Sequence, residues 1–268
     1  MSVESPDRTE APKTGLGQLF SRAALRSLVH QPRWFVLNII QAPRWYLDQR
    51  KTVTPEHFRE HFASEAEVVS SVLGVSEDDY QAALAALWTP ERDPAEPLSV
   101  WTARNELLNL VGGLVALMRP DVVVETGVAL GFSTATILAA MRANEQGHLY
   151  SVDLPSVQYG HERETGSAVP SELRDRWTLR LGPSQKVLPV LLRDVAPVDL
   201  FIHDANHAYS AQLREYRTAW PHLRPGGVLV SDDVGNPAFV EFAAEVGARP
   251  YLFPGSRSDS AVGVLRKS

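Results

Sequence analysis

Four residues in the 268-residue chain have the types and the spacing to do chemistry together. Asp204 and His207 stand in V-D-L-F-I-H-D-A-N-H-A-Y, Val198 to Tyr209, and Asp232 and Asp233 close L-R-P-G-G-V-L-V-S-D-D, Leu223 to Asp233. Each stretch reads as an apolar strand that turns acidic at its last residues. In a parallel α/β sheet, ligands sit at the carboxyl ends of the strands, so these acids should share one rim. Three carboxylates meeting there repel one another unless a cation joins them, and oxygen ligands with water suit a hard ion such as Mg²⁺ or another divalent cation. Beside Asp204, His207 adds a ring whose ordinary pKa of about 6.5 lets it accept a proton near neutral pH. The set points to an enzyme. The plainer alternative is that Asp204 or Asp233 only caps the next helix and that His207 only bonds the backbone of its turn. His203, inside the strand, reads as a packing residue.

Such a rim needs a regular scaffold, and the chain after about Val100 provides one. A helix is expected to Met118, a strand at Asp121–Thr126, a helix at Gly131–Arg142 and a strand at His148–Leu154. The strand W-T-L-R-L and a helix from Ser184 to Arg193 follow. The two acid-ending strands then alternate with helices at Tyr209–Trp220 and Pro237–Val246, before P-Y-L-F and A-V-G-V-L-R end the chain. This alternation predicts a mostly parallel sheet covered on both faces. Only P-G-S-R-S-D-S separates the last two strands, a length that permits a hairpin but no crossover, so the final strand should run antiparallel.

The preceding chain differs in character. Residues 1–14 are polar and charged and read as a disordered tail. Residues 15–97 read as a helical extension: a basic, aromatic amphipathic arm to Arg50, then helices capped by Thr54 and by Ser76, the latter running to about Trp88. The arm can cover the core, join a second copy in a homo-oligomer, or touch a membrane surface peripherally; covering a core or a second copy is the commoner use of such a face. His57 and His61 in H-F-R-E-H read as a solvated helix face. Thr89–Pro97 reads as a linker, which leaves residues 98–268 as the main domain.

Composition narrows the function. A net charge of -6 argues against nucleic-acid binding, which rests on excess Lys and Arg. The absence of cysteine excludes disulfides, thiolate metal sites and cysteine nucleophiles. The first residues lack the apolar stretch of a signal peptide, and no run is long and apolar enough to span a bilayer; a cytoplasmic protein is expected.

The first strand-to-helix turn, E-T-G-V-A-L-G-F-S-T (Glu125 to Thr134), is the expected cofactor loop. Gly127 and Gly131 allow a tight turn and close approach to a ligand. It is not G-x-G-x-x-G, and no G-K-[ST] follows, which disfavours dinucleotides and nucleoside triphosphates. Glu125 suits a ligand carrying a positive amino group, and Asp153, ending the next strand, can accept both hydroxyls of a ribose. A ribose with a cationic tail describes S-adenosylmethionine better than NAD.

On these segments, with S-V-D-L and G-P-S-Q-K-V-L-P, the chain from about Val100 resembles class I S-adenosylmethionine-dependent methyltransferases. It looks most like the metal-dependent O-methyltransferases of the catechol type and the related macrolide-sugar and antibiotic enzymes. The resemblance implies a Rossmann-like seven-stranded sheet, mostly parallel, with an antiparallel last strand. It implies that Glu125, Gly127 and Ser133 contact the methionine part of the cofactor, that Thr126 and Gly131 also belong to the cofactor site, that Asp153 takes the ribose, and that Ser184 and Gln185 flank the adenine. It further implies Asp204, Asp232 and Asp233 as metal ligands, with Asp204 also near the cofactor, and His207 as base where the catechol enzymes carry lysine. The acceptor would be a small hydroxylated molecule. The polar insertion Pro155 to Asp175, with Tyr159, His161 and Arg163, points to a sugar or glycosylated natural product. The alternatives are a metal-independent methyltransferase and a non-catalytic module that binds the cofactor.

Overall fold

The structure, a computed structural model, describes residues 61–88, 105–154, 165–255 and 261–268, together with Val36. The expected tail, the arm apart from Val36, the Thr54 cap with the start of its helix, and the linker lie outside the described residues, as do Tyr159, His161 and Arg163.

Two short helices come first, α1 (Glu65–Leu73) and α2 (Glu77–Ala85). Both open with reciprocal capping boxes, Ser64 with Glu67 and Ser76 with Asp79. The Ser76 cap is as expected, but α2 stops at Ala85 rather than near Trp88. The remaining elements are α3 (Asn105–Met118), β1 (Val122–Thr126), α4 (Phe132–Asn144), β2 (His148–Asp153), β3 (Trp177–Leu181), α5 (Ser184–Val195), β4 (Val198–His203), α6 (Tyr209–Ala219), β5 (Leu223–Ser231), α7 (Ala238–Val246), β6 (Tyr251–Pro254) and β7 (Ala261–Arg266). A 3-10 turn, Ser171–Arg176, leads into β3.

The seven strands lie in the order β3-β2-β1-β4-β5-β7-β6. β7 runs antiparallel to both β5 and β6, while β1 to β5 pair in parallel. The short link before β7 dictates that reversal. β4, V-D-L-F-I-H, is buried along its whole length, as a strand covered on both faces must be. Alternate residues serve the two faces: Leu200 and Ile202 join a core with α1 to α4, and Phe201 joins one with α5, α6 and α7. Val68, Val69, Val72 and Tyr80 bring α1 and α2 into the first of these cores.

Strand order reverses between β1 and β4, because the chain winds outward to β3 and returns to the other side of β1. The carboxyl ends of β1 and β4 therefore flank a crevice that no crossover covers, the usual ligand site of open α/β sheets. No helix among the described residues is long and apolar enough to cross a membrane.

Candidate active site

At the end of β1, Glu125 faces inward. It is fully buried, and its carboxylate accepts hydrogen bonds from the hydroxyls of Ser133 (2.7 Å), Thr134 (2.8 Å) and Ser151 (2.8 Å). Burial pushes its pKa up to about 7 despite these three donors. Trp177 Nε1 donates to Ser151 at 2.9 Å and extends the network to β3. Both oxygens of Glu125 are engaged by protein, and Ser133, 2% exposed, is engaged with them. Thr126 is buried too, with its hydroxyl donating to Glu215 at 2.6 Å.

Gly127 has φ +87°, and a Cβ there would lie 1.9 Å from the carbonyl oxygen of Asp204. The glycine brings the β1 and β4 turns together backbone to backbone. Gly131 (φ +92°) sits against Val169 and Gly166. Both glycines lie in close contact with neighbouring protein atoms. The later part of the insertion bonds to this loop: Gly166 N–H donates to the Ala129 carbonyl (2.9 Å) and Ala168 N–H to that of Leu130 (2.8 Å). Arg174 holds this segment through the Gly166 and Val169 carbonyls.

Three expected residues remain accessible beside the loop. Asp153, half-buried at the end of β2, accepts from Ala129 N–H at 3.1 Å. Burial raises its pKa to about 6, against the N–H groups of Ala129, Leu154 and Val128. Ser184 and Gln185 open α5, where Gln185 is exposed and Ser184 is half-buried with its hydroxyl bonded to Glu215.

The rim itself gathers Asp204, His207 and Asp232, whose ligand atoms all lie within 4.8 Å of one another. Asp233, expected as the third carboxylate of this group, instead places Oδ2 3.3 Å from His207 Nδ1. His207 Nε2 lies 3.5 Å from Asp204 Oδ1, an ion-pair distance; the atom is buried and makes no hydrogen bond. Burial opposes a charged ring at His207, but Asp204 and Asp233 on either side outweigh it and hold its pKa well above the usual histidine range. Asp232 is pushed far upward by burial and by its acidic neighbours Asp204 and Asp233. Three carboxylates and an imidazole therefore share this point of the crevice.

The sequence reading missed the residues beneath the rim. Asn236, 5% exposed, donates to the His207 carbonyl (2.9 Å) and to Gln212 Oε1 (2.6 Å), which ties the His207 loop to the one after β5. Glu215 is 2% exposed and pairs with His203 Nδ1 at 2.8 Å. Burial would raise the Glu215 pKa, yet the charge and hydrogen bond of His203, with Ser184 and Thr126, hold it below the ordinary carboxylate range. Gln212, Glu215, Tyr216 and Ala219 follow one helical face. Two polar residues on an otherwise inward stripe were the available signal.

Residues 124–234, which contain the loop and the whole rim, match the family model described as a methyltransferase domain. No curated protein matches the chain by sequence. Among solved structures, the chain is similar to the O-methyltransferase TomG from Streptomyces achromogenes, involved in tomaymycin synthesis and solved with S-adenosylmethionine. The TM-score is 0.53 at 19% identity, over 78% of this chain and 98% of that one. It is also similar to an O-methyltransferase from Bacillus cereus solved with S-adenosylhomocysteine, with TM-score 0.52 and 17% identity over 75% of this chain and 96% of that one. At these identities the likeness is one of fold. Residues 124–234 thus match a methyltransferase domain, on a sheet that shares its fold with these O-methyltransferases.

Proposed function

We propose that the protein is an O-methyltransferase that acts on a hydroxyl of a small acceptor, a sugar or glycosylated natural product, with His207 as the base. The observation that carries this reading is the bridging position of His207. Asp233 engages Nδ1, which fixes the ring and leaves Nε2, which makes no hydrogen bond, as the nitrogen that can take a proton.

The residues fit a divalent cation. Asp204 and Asp232 converge, and a buried imidazole nitrogen without a hydrogen bond stands beside them. Asp204 and Asp232 would hold the cation, with Asp233 positioned through His207. When bound, such an ion lowers the pKa of a nearby hydroxyl and offsets the charge that keeps His207 protonated. S-adenosylmethionine supplies an electrophilic methyl whose transfer leaves a neutral thioether, and Asp153, Ser184 and Gln185 would hold its nucleoside. The chain's own part is to orient the acceptor oxygen and to receive its proton at Nε2 of His207. Holding the reactants in line supplies much of the rate.

His207 is also grouped with Asp204 and Asp232 at ligand distances, which favours a second reading in which Nε2 is itself a ligand. His207→Ala separates the two: a base variant keeps Mn²⁺ affinity and loses turnover, whereas a ligand variant loses both. In the same proposal residues 15–97 and the insertion after Asp153 shape the acceptor pocket of a cytoplasmic homo-oligomer, with residues 98–268 as the catalytic domain. The reading is tested with methyl-labelled cofactor and a panel of hydroxylated acceptors, after chelation and again after Mg²⁺ is restored. Label should pass to a glycoside in the restored sample; equal transfer in a metal-free sample would remove the cation from the account.

A further inference from the structure

Glu215 is a buried carboxylate with no part in the reaction proposed above. It lies on α6, and its Oε2 accepts from Thr126 Oγ1 at 2.6 Å and faces His203 Nδ1 at 2.8 Å. The Ser184 hydroxyl is bonded to the same carboxylate. Thr126 ends β1, His203 ends β4 and Ser184 opens α5, so one side chain joins three elements at the crevice. Burying a charge is costly unless it is paired and hydrogen-bonded, and these partners provide both.

The backbone of two of those partners carries the rim. The Thr126 carbonyl accepts the N–H of Asp204 at 2.8 Å, and the His203 carbonyl accepts the N–H of Asp232 at 2.9 Å. Thr126 and His203 are themselves opposite one another in the β1–β4 register. Glu215 therefore grips, by their side chains, the two residues whose carbonyls fix the backbone of Asp204 and Asp232. His203 also stands edge-on to His207, with ring centroids 5.6 Å apart and planes at 76°.

We infer that Glu215, with Thr126 and His203, is a positioning network that sets the separation of the Asp204 and Asp232 carboxylates. The inference rests on the proposed function for what those carboxylates hold, a divalent cation. The network acts through the backbone and touches no substrate. Partners that orient a ligand set in this way commonly change metal affinity tenfold or more when removed.

The test uses the full chain with Glu215→Gln, which keeps the shape but opposes an amide to His203, and Thr126→Val, which removes only the hydroxyl. Mn²⁺ affinity is measured by electron paramagnetic resonance. Hydrogen exchange is followed at the amides of Asp204 and Asp232, with α4 and α7 as internal controls. The expected result is Mn²⁺ binding weaker by about tenfold or more, with faster exchange at the two rim amides and wild-type exchange in the controls. Wild-type Mn²⁺ affinity in folded Glu215→Gln, or wild-type exchange at both rim amides, overturns the inference. If the unmodified protein takes up no Mn²⁺, the cation reading falls instead, and exchange at the two amides alone decides the network.

Discussion

Gly127 and Asp204 touch through their main chains: a Cβ at residue 127 would lie 1.9 Å from the Asp204 carbonyl oxygen. The contact fixes the loop between β1 and α4 against the acidic rim, so the two share one backbone position. Gly127→Ala combines a left-handed φ of +87° with a clash against backbone, which cannot rotate away. Strain of this kind costs on the order of 1–3 kcal/mol before the clash is counted. The expected outcome is a lower unfolding midpoint and weaker S-adenosylhomocysteine binding together, read by thermal denaturation and calorimetry.

Glu125 gives stability a pH dependence. Its carboxyl is raised from 4.5 to about 7 in the folded protein, so the folded state holds this proton more tightly than the unfolded chain. Both states are protonated below pH 4.5 and neither above 7, so stability falls between these values as pH rises. The loss is on the order of 3 kcal/mol. Glu125→Gln should flatten this part of the profile, which denaturant unfolding at pH 5, 6 and 7.5 would show; an unchanged slope would assign it to another group.

Asp233 holds His207 Nδ1 at 3.3 Å and is expected to act through that ring. Asp233→Asn keeps the shape and removes the charge that orients and retains the Nδ1 proton. Turnover should fall by about tenfold or more, with Mn²⁺ affinity near that of the wild type. A collapse of Mn²⁺ binding with intact folding would make Asp233 a ligand instead.

Much of this architecture was legible in the sequence because apolar runs ending in acids mark strand ends at a ligand rim. Asp204, Asp232 and His207 were brought together by that logic, and the reversal of β7 followed from the short link before it. The cofactor loop was harder to read. Glu125, Thr126 and Ser133 have ligand-binding residue types, but the structure turns them inward because hydroxyls from α4 and β2 and the carboxylate of Glu215 are there to pair with them. Glu215, Gln212 and Asn236 were missed for the converse reason. Polar residues on helices and loops look solvated in a sequence until the fold places them under a crevice. The arm and the linker contribute nothing to this comparison, since they lie outside the described residues.

The central claim, that His207 accepts the acceptor's proton at a rim organised by Asp204 and Asp232, is tested most directly by single-turnover methyl transfer with His207→Ala. Labelled cofactor, an acceptor found in the panel and saturating Mg²⁺ would be used, with S-adenosylhomocysteine affinity measured alongside. The account predicts transfer slowed by about 10²–10⁴ with cofactor affinity within about twofold of the wild type, a base contributing to the barrier more than to binding. Transfer at the wild-type rate would contradict it.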